Sequence, residues 1–131
     1  MTPLHCVLAA TDLSAPSRHA VARAAMIARD SETRLELLHV LQMGTLDQLR
    51  RLLGQKAEEA LPRMREDVHT TLSLIARDFG EPLGISPGIH IATGAVLDEI
   101  ANQADALQAD LLVMGARGLG FMHHLMPVSY T

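Results

Sequence analysis

Apolar residues along this chain occur in two regimes. Short, nearly continuous apolar runs alternate with longer stretches in which apolar positions recur every three or four residues. Residues 4–10, ending in Val7-Leu8-Ala9-Ala10, read as a strand covered on both faces. Ser14 then suits a helix N-cap, with Pro16 in the first turn, where a missing N–H costs nothing. Ala20, Val21, Ala24, Ile27 and Ala28 share one face of a helix running to about Asp30. Residues 35–41 read as the second strand, and Gly44 is expected to end that region.

Residues 46–79 keep apolar steps of three or four from Leu46 through Leu53, Ala57, Leu61, Met64, Val68, Leu72 and Ile75 to Phe79. The phase survives Pro62, so the pattern predicts one helix kinked there or two nearly collinear helices. Ile89-His90-Ile91-Ala92 predicts a short strand, and Pro87-Gly88 before it suits an edge position. Gly94 opens a helix with Val96, Leu97, Ile100, Ala104 and Leu107 inside, and residues 111–114 form the last strand. The order β-α-β-α-β-α-β predicts an α/β fold: an open parallel sheet sandwiched by helices, Rossmann-like, within one domain over 1–131. Right-handed crossovers leave few ways to order its strands.

Composition narrows the function. The net charge is −4, from 11 basic and 15 acidic residues, and no stretch is strongly basic. That argues against a nucleic-acid binder held by phosphate contacts. The aromatics are Phe79, Phe121 and Tyr130, too few for base-stacking platforms. Cys6 is the lone cysteine, so no intrachain disulfide forms, and a buried small hydrophobe is its expected role. No signal peptide or membrane-spanning apolar run is visible, and a cytoplasmic protein is expected.

The chemistry concentrates at two strand ends. Ala10 runs into Thr11-Asp12, and Leu111-Leu112-Val113-Met114 runs into Gly115-Ala116-Arg117-Gly118. Open α/β sheets bind ligands outside the carboxyl ends of their strands. Glycine lets backbone amides approach an anion. Together they suggest a nucleotide or phosphate binder. No Gly-Lys-Ser/Thr follows, so this is not the Walker A loop. Nor is it the dinucleotide fingerprint, whose glycines follow the first strand.

Laid end to end, the chain resembles the universal stress protein family. The resemblance rests on Ala10-Thr11-Asp12, His39-Val40-Leu41, Gly94-Ala95-Val96 and Met114-Gly115-Ala116-Arg117-Gly118. The nucleotide-binding branch of that family shows G-x-x-G, nine residues, then G-S/T. Here Gly115 and Gly118 match, nine residues follow from Leu119 to Pro127, Val128 replaces the glycine, and Ser129 matches again. The family's fold, similar to adenine nucleotide alpha hydrolases, has a fifth strand and a last helix that this chain is expected to lack. The fifth strand commonly makes the family's dimer contact.

What the resemblance implies is a site for ATP or a related adenine nucleotide, with Mg²⁺ at its phosphates. Thr11 and Asp12 would hold the nucleoside, and the Val40 backbone would hydrogen-bond adenine. Met114, Gly115, Arg117, Gly118 and Ser129 would surround the phosphates. Each has a plainer role to set beside this. Asp12 and Ser14 also cap the next helix, Val40 is also a core strand residue, and Arg117 is also a solvated loop arginine. His39 reads as a satisfied core or site-wall residue. His123-His124 lack the cysteine or carboxylate company that a metal site needs.

The expected function is therefore a small regulatory stress-response module, not an enzyme, with ATP hydrolysis absent or very slow. Ligand binding would order the 115–131 loop and change how the module meets an unknown protein partner. The alternative, favoured by Val128, is a family member that binds no nucleotide and acts as a protein-interaction module. Residues 119–131 are apolar, with Leu119, Phe121, Met122, Leu125, Met126, Val128 and Tyr130. They, or the same edge of a second copy, are expected to cover the fourth strand in a homodimer.

Overall fold

β1 (Cys6–Ala10) is apolar at every position and buried at every position, because it lies inside the sheet with helices on both faces. The computed structural model describes residues 4–115. β1 is followed by α1 (Ala15–Asp30), β2 (Arg34–Gln42), α2 (Met43–Leu53), α3 (Lys56–Gly80), a 3₁₀ turn at Glu81–Leu83, β3 (Gly88–Gly94), α4 (Val96–Ala106) and β4 (Leu111–Met114). The four strands are parallel in the order β3-β2-β1-β4. The predicted open α/β architecture is the observed one, and β3 is an edge strand as Pro87-Gly88 suggested.

Strand alternation divides the core in two. Val7, Ala9, Leu35, Leu37, Leu111 and Val113 face α1 and α3, where Val21, Ala24, Leu72 and Ile75 meet them. Cys6, Leu8, Ala10, Leu38, Val40 and Leu112 face the other way, against Ile100 and Ala104 of α4. Each fully buried leucine contributes about 1.5–3 kcal/mol relative to exposure. Small residues along α1 (Ala24, Ala25, Ala28) let it lie close to the strands.

Three expectations needed correction. The long helical pattern breaks at Gly54-Gln55 and not at Pro62. Gly54 takes φ +57 and its N–H closes α2 on the Arg50 carbonyl, a positive-φ conformation that glycine adopts cheaply. Pro62 lies inside α3, which continues through it because the packing of Leu72, Ile75 and Val68 further along holds the helix. Gly44 does not end the second strand region but lies within α2. Leu53 and Leu97 are exposed, because only Leu46 of α2 is buried and α4 turns Ile100 and Ala104 inward instead.

A polar clasp aligns the amino end of the sheet. The Asp110 carboxylate accepts the N–H groups of His5 (2.5 Å) and Cys6 (3.1 Å), while Asp110 N–H donates to the Cys6 carbonyl at 2.9 Å. This sets Val7 opposite Leu111. The same bonds, from His5 first, hold the Asp110 carboxyl below its usual range, against a smaller opposing push from burial.

Candidate functional site

At the other end of the sheet β1 stops at Ala10, and the next four residues form a turn tied by side chains. Thr11 is buried. Its Oγ1 accepts the Leu13 N–H at 3.0 Å and shares a hydrogen bond with Ser17 Oγ at 2.7 Å. Ser17 Oγ also donates to the Ser14 carbonyl at 2.9 Å. Leu13 is held at φ +70, a conformation that costs a non-glycine residue on the order of 1–3 kcal/mol. The network around Thr11 offsets that strain. Ser14 caps α1 through the Ser17 N–H, as its position predicted.

Asp12 stands exposed at the head of this turn. Its Oδ1 accepts the Ser14 N–H at 2.9 Å and the Ser14 hydroxyl, and no partner engages Oδ2 among the described residues. Partial desolvation pushes the carboxyl up, but the hydrogen bonds it accepts, those from Ser14 foremost, outweigh it and hold the group below its usual range. Asp12 is therefore an anion at neutral pH, with Oδ2 unengaged among the described residues.

Beside the turn lies a pocket of about 170 Å³, lined by Ala10, Thr11, Asp12, Val40, Val96 and Ile100 among others. Sites for whole drug-sized ligands run to roughly 300–1,000 Å³, so this pocket fits one apolar ring system of a larger ligand. Its walls come from β1, β2 and the first turns of α4, on the α4 face of the sheet. Asp12 supplies its negative group.

The backbone adds a second polar feature. The β1–β2 ladder runs from Cys6 opposite Arg34 to Ala10 opposite Leu38, and Thr11 N–H extends it to the Leu38 carbonyl at 2.9 Å. A continued parallel ladder would next join Val40 N–H to the Thr11 carbonyl and Leu13 N–H to the Val40 carbonyl. Neither bond forms: Leu13 N–H goes to Thr11 Oγ1, and the Thr11 carbonyl accepts His39 Nδ1–H at 2.9 Å. The donor and acceptor of Val40 thus have no partner on β1.

Gly115 follows β4, next to the β1 turn. A Cβ here would come within 3.1 Å of Ser17 Cα, so glycine permits β4 to end against the first turn of α1. Its presence has a packing cause as well as the anion-cradle role expected of it. Met114 is half-buried and packs against the α4-side core. The structure thus brings Thr11, Asp12, Val40, Met114 and Gly115 to one end of the sheet. Arg117, Gly118, Val128, Ser129, His123, His124 and the apolar segment 119–131 lie outside the described residues. Among the described residues no group of three His, Cys, Asp or Glu side chains stands together as a metal site, and no helix is long and apolar enough to cross a membrane.

Sequence reasoning did not single out Ser17, which ties Thr11 to the cap of α1, or the hydrogen-bonded pair His90–Glu36 (2.6 Å) on the α4 side of β2 and β3. An alternating strand position two residues from another polar one was the available signal for Glu36. It is weak, since such positions usually face solvent. Gly88 opposite Glu36 is the firmer clue, for a Cβ there would collide with that carboxylate.

Comparison with known proteins places this geometry. Residues 4–129 match the family model of the universal stress protein family. The chain belongs to the universal stress protein family. Among solved structures, it is similar to a universal stress protein in complex with cAMP, at 20% identity and a TM-score of 0.75, over 99% of this chain and 97% of that one. It is likewise similar to a family protein from Burkholderia pseudomallei, at 20% identity and a TM-score of 0.78, over 100% and 98%. A third is the universal stress protein UspA from Lactobacillus plantarum, at 19% identity and a TM-score of 0.62, over 100% and 98%. Comparison with curated proteins finds no match. At these identities the structural likeness establishes the Rossmann-like fold.

Proposed function

We propose that this universal stress protein binds an adenine nucleotide, ATP or a relative of it, as a small regulatory module. The observation that carries the reading is the base-sized apolar pocket whose rim holds the Asp12 carboxylate and the Val40 peptide, which has no partner on β1 among the described residues. Adenine offers an amino donor beside a ring acceptor, which complements a peptide C=O and N–H. Guanine carries a carbonyl where adenine carries the amino group, and places the wrong partner there. A family structure in complex with cAMP supports an adenine ligand for this fold.

In this reading the base fills the pocket, Asp12 Oδ2 and Thr11 hold the nucleoside, and the phosphates extend past Met114 over Gly115 toward Arg117, Gly118 and Ser129. Mg²⁺ would bind through the phosphates, since the described residues supply no cage of their own. In this reading the module acts by binding its ligand and not by turning it over. Binding acts by favouring the state that holds the ligand better, and a protein partner reads that state. The copy-to-copy contact is proposed at β4, which pairs with β1 alone among the described strands.

Titration calorimetry tests the reading. ATP is expected to bind more tightly than GTP and to show Mg²⁺ dependence. No heat and no displacement at millimolar ATP would favour the second reading, an interaction module without nucleotide, which Val128 in place of the motif's glycine supports. Phosphate release at about 1 s⁻¹ or faster, an ordinary enzyme rate, would overturn the non-enzymatic reading. Light scattering that shows a clean monomer at tens of micromolar would remove the dimer.

A further inference from the structure

The proposed base-binding edge exists only because the β1–β2 ladder opens one rung early, and His39 stands at that rung. Alternation puts Leu35 and Leu37 on the α1/α3 face and Leu38 and Val40 on the α4 face. The His39 side chain therefore starts from the α1/α3 side of β2, while the residue itself also forms part of the pocket wall. Its ring reaches the Thr11 carbonyl at 2.9 Å. A carbonyl oxygen only accepts, so Nδ1 carries a proton and donates it here. The carbonyl so engaged is the acceptor that Val40 N–H would use in a continued ladder.

We infer that His39 is a positioning residue that holds the Thr11 carbonyl from behind the sheet, keeps the last β1–β2 rung open, and so presents the Val40 peptide to the base. This rests on the adenine-nucleotide reading of the site. The His39 ring works through its bond to the turn. The same bond fixes the entry to the Thr11–Ser14 turn, so it also governs where Asp12 stands.

The substitution pair His39→Leu and His39→Asn separates this role from simple packing. Leucine fills space but cannot donate. The asparagine amide places an N–H near the position of Nδ1. ATP affinity is expected to fall tenfold or more in His39→Leu and to return within about threefold of the parent in His39→Asn. Equal affinity in parent and leucine variant, or no recovery with asparagine, overturns the inference. Two readouts on the unliganded parent stand apart from nucleotide binding and from the folding of any variant. Ring ¹⁵N shifts are expected to show the Nδ1–H form, and the Val40 amide is expected to exchange with solvent faster than the Leu38 amide. A ring without a proton on Nδ1, or a Val40 amide as protected as Leu38, overturns the inference even if ATP binds. A parent that binds no ATP while both readouts hold instead removes the nucleotide reading, and with it the base-edge role, but leaves the rung open by His39.

Discussion

Two strand-to-helix connections at the same end of this sheet are built in opposite ways. Between β1 and α1 the chain spends four residues, Thr11 to Ser14, and ties them with side-chain hydrogen bonds from Thr11, Asp12, Ser14 and Ser17. Between β2 and α2 there is no connecting residue at all. Gln42 ends the strand, serves as N-cap, and makes no side-chain cap bond. The second junction is held by its register with β3 and by the burial of Leu46. Packing and register suffice to start a helix. The polar turn, with Leu13 in a strained conformation, does more than connect, and strain of this kind concentrates where a protein positions groups for a ligand.

The largest expected effect that would sharpen this contrast is on binding. Asp12→Ala removes a charged acceptor, and ATP affinity is expected to fall by roughly 1–3 kcal/mol, about 5- to 150-fold. Thr45→Ala, in the first turn of α2 beyond the other junction and outside the pocket, is expected to leave it within about twofold. Calorimetry on the two variants breaks the comparison if they behave alike.

Stability comes next. Thr11→Val keeps shape but strips Leu13 N–H and Ser17 Oγ of their partner in a buried place, and should cost on the order of 1–3 kcal/mol in urea unfolding. Gly115→Ala tests the packing explanation for that glycine. The added methyl presses on Ser17 backbone, which cannot swing away as a side-chain end would, and about 1–3 kcal/mol of destabilisation is expected. A neutral Gly115→Ala would mean that only the approach of a ligand requires glycine there. Ser14→Ala is expected to cost about 1 kcal/mol as the loss of a cap.

What was legible in the sequence follows the same division. Apolar runs and three-to-four spacing announced all four strands and the buried faces of α1 and α3, because burial imposes those periods directly. The break at Gly54-Gln55 was hidden by a stripe whose phase continued across it. Leu53 carries that stripe on the surface, so hydrophobicity alone pointed the wrong way. Thr11, Asp12 and Gly115 could be marked as candidates for a site from their place after a strand. Ser17 and His39 could not be given their roles, because these depend on which strand lies beside which. Thr11 and His39 are 28 positions apart and meet only through the parallel register of β1 and β2.

The smallest effect is the pH dependence, and it compares the two ends of the sheet. Asp12 at the carboxyl end and Asp110 at the amino end both have carboxyls held below the ordinary value of 3.8 by hydrogen bonds. The folded state therefore binds their protons less readily than the unfolded chain does. Their stabilisation is fully present above that unfolded value and is lost as pH falls through the lower folded values. Both groups are solvent-accessible, so screening keeps the effect modest at physiological salt. Asp110→Asn is expected to lower stability at neutral pH and to flatten its decline below about pH 4. Asp12→Asn should flatten the same decline less, because Ser14 still caps α1 without it. Urea unfolding at a series of pH values reads both slopes. If Asp110→Asn retains the full acid decline of the parent, the clasp between β1 and β4 does not depend on its charge, and the backbone bond from Asp110 to Cys6 alone aligns the strands.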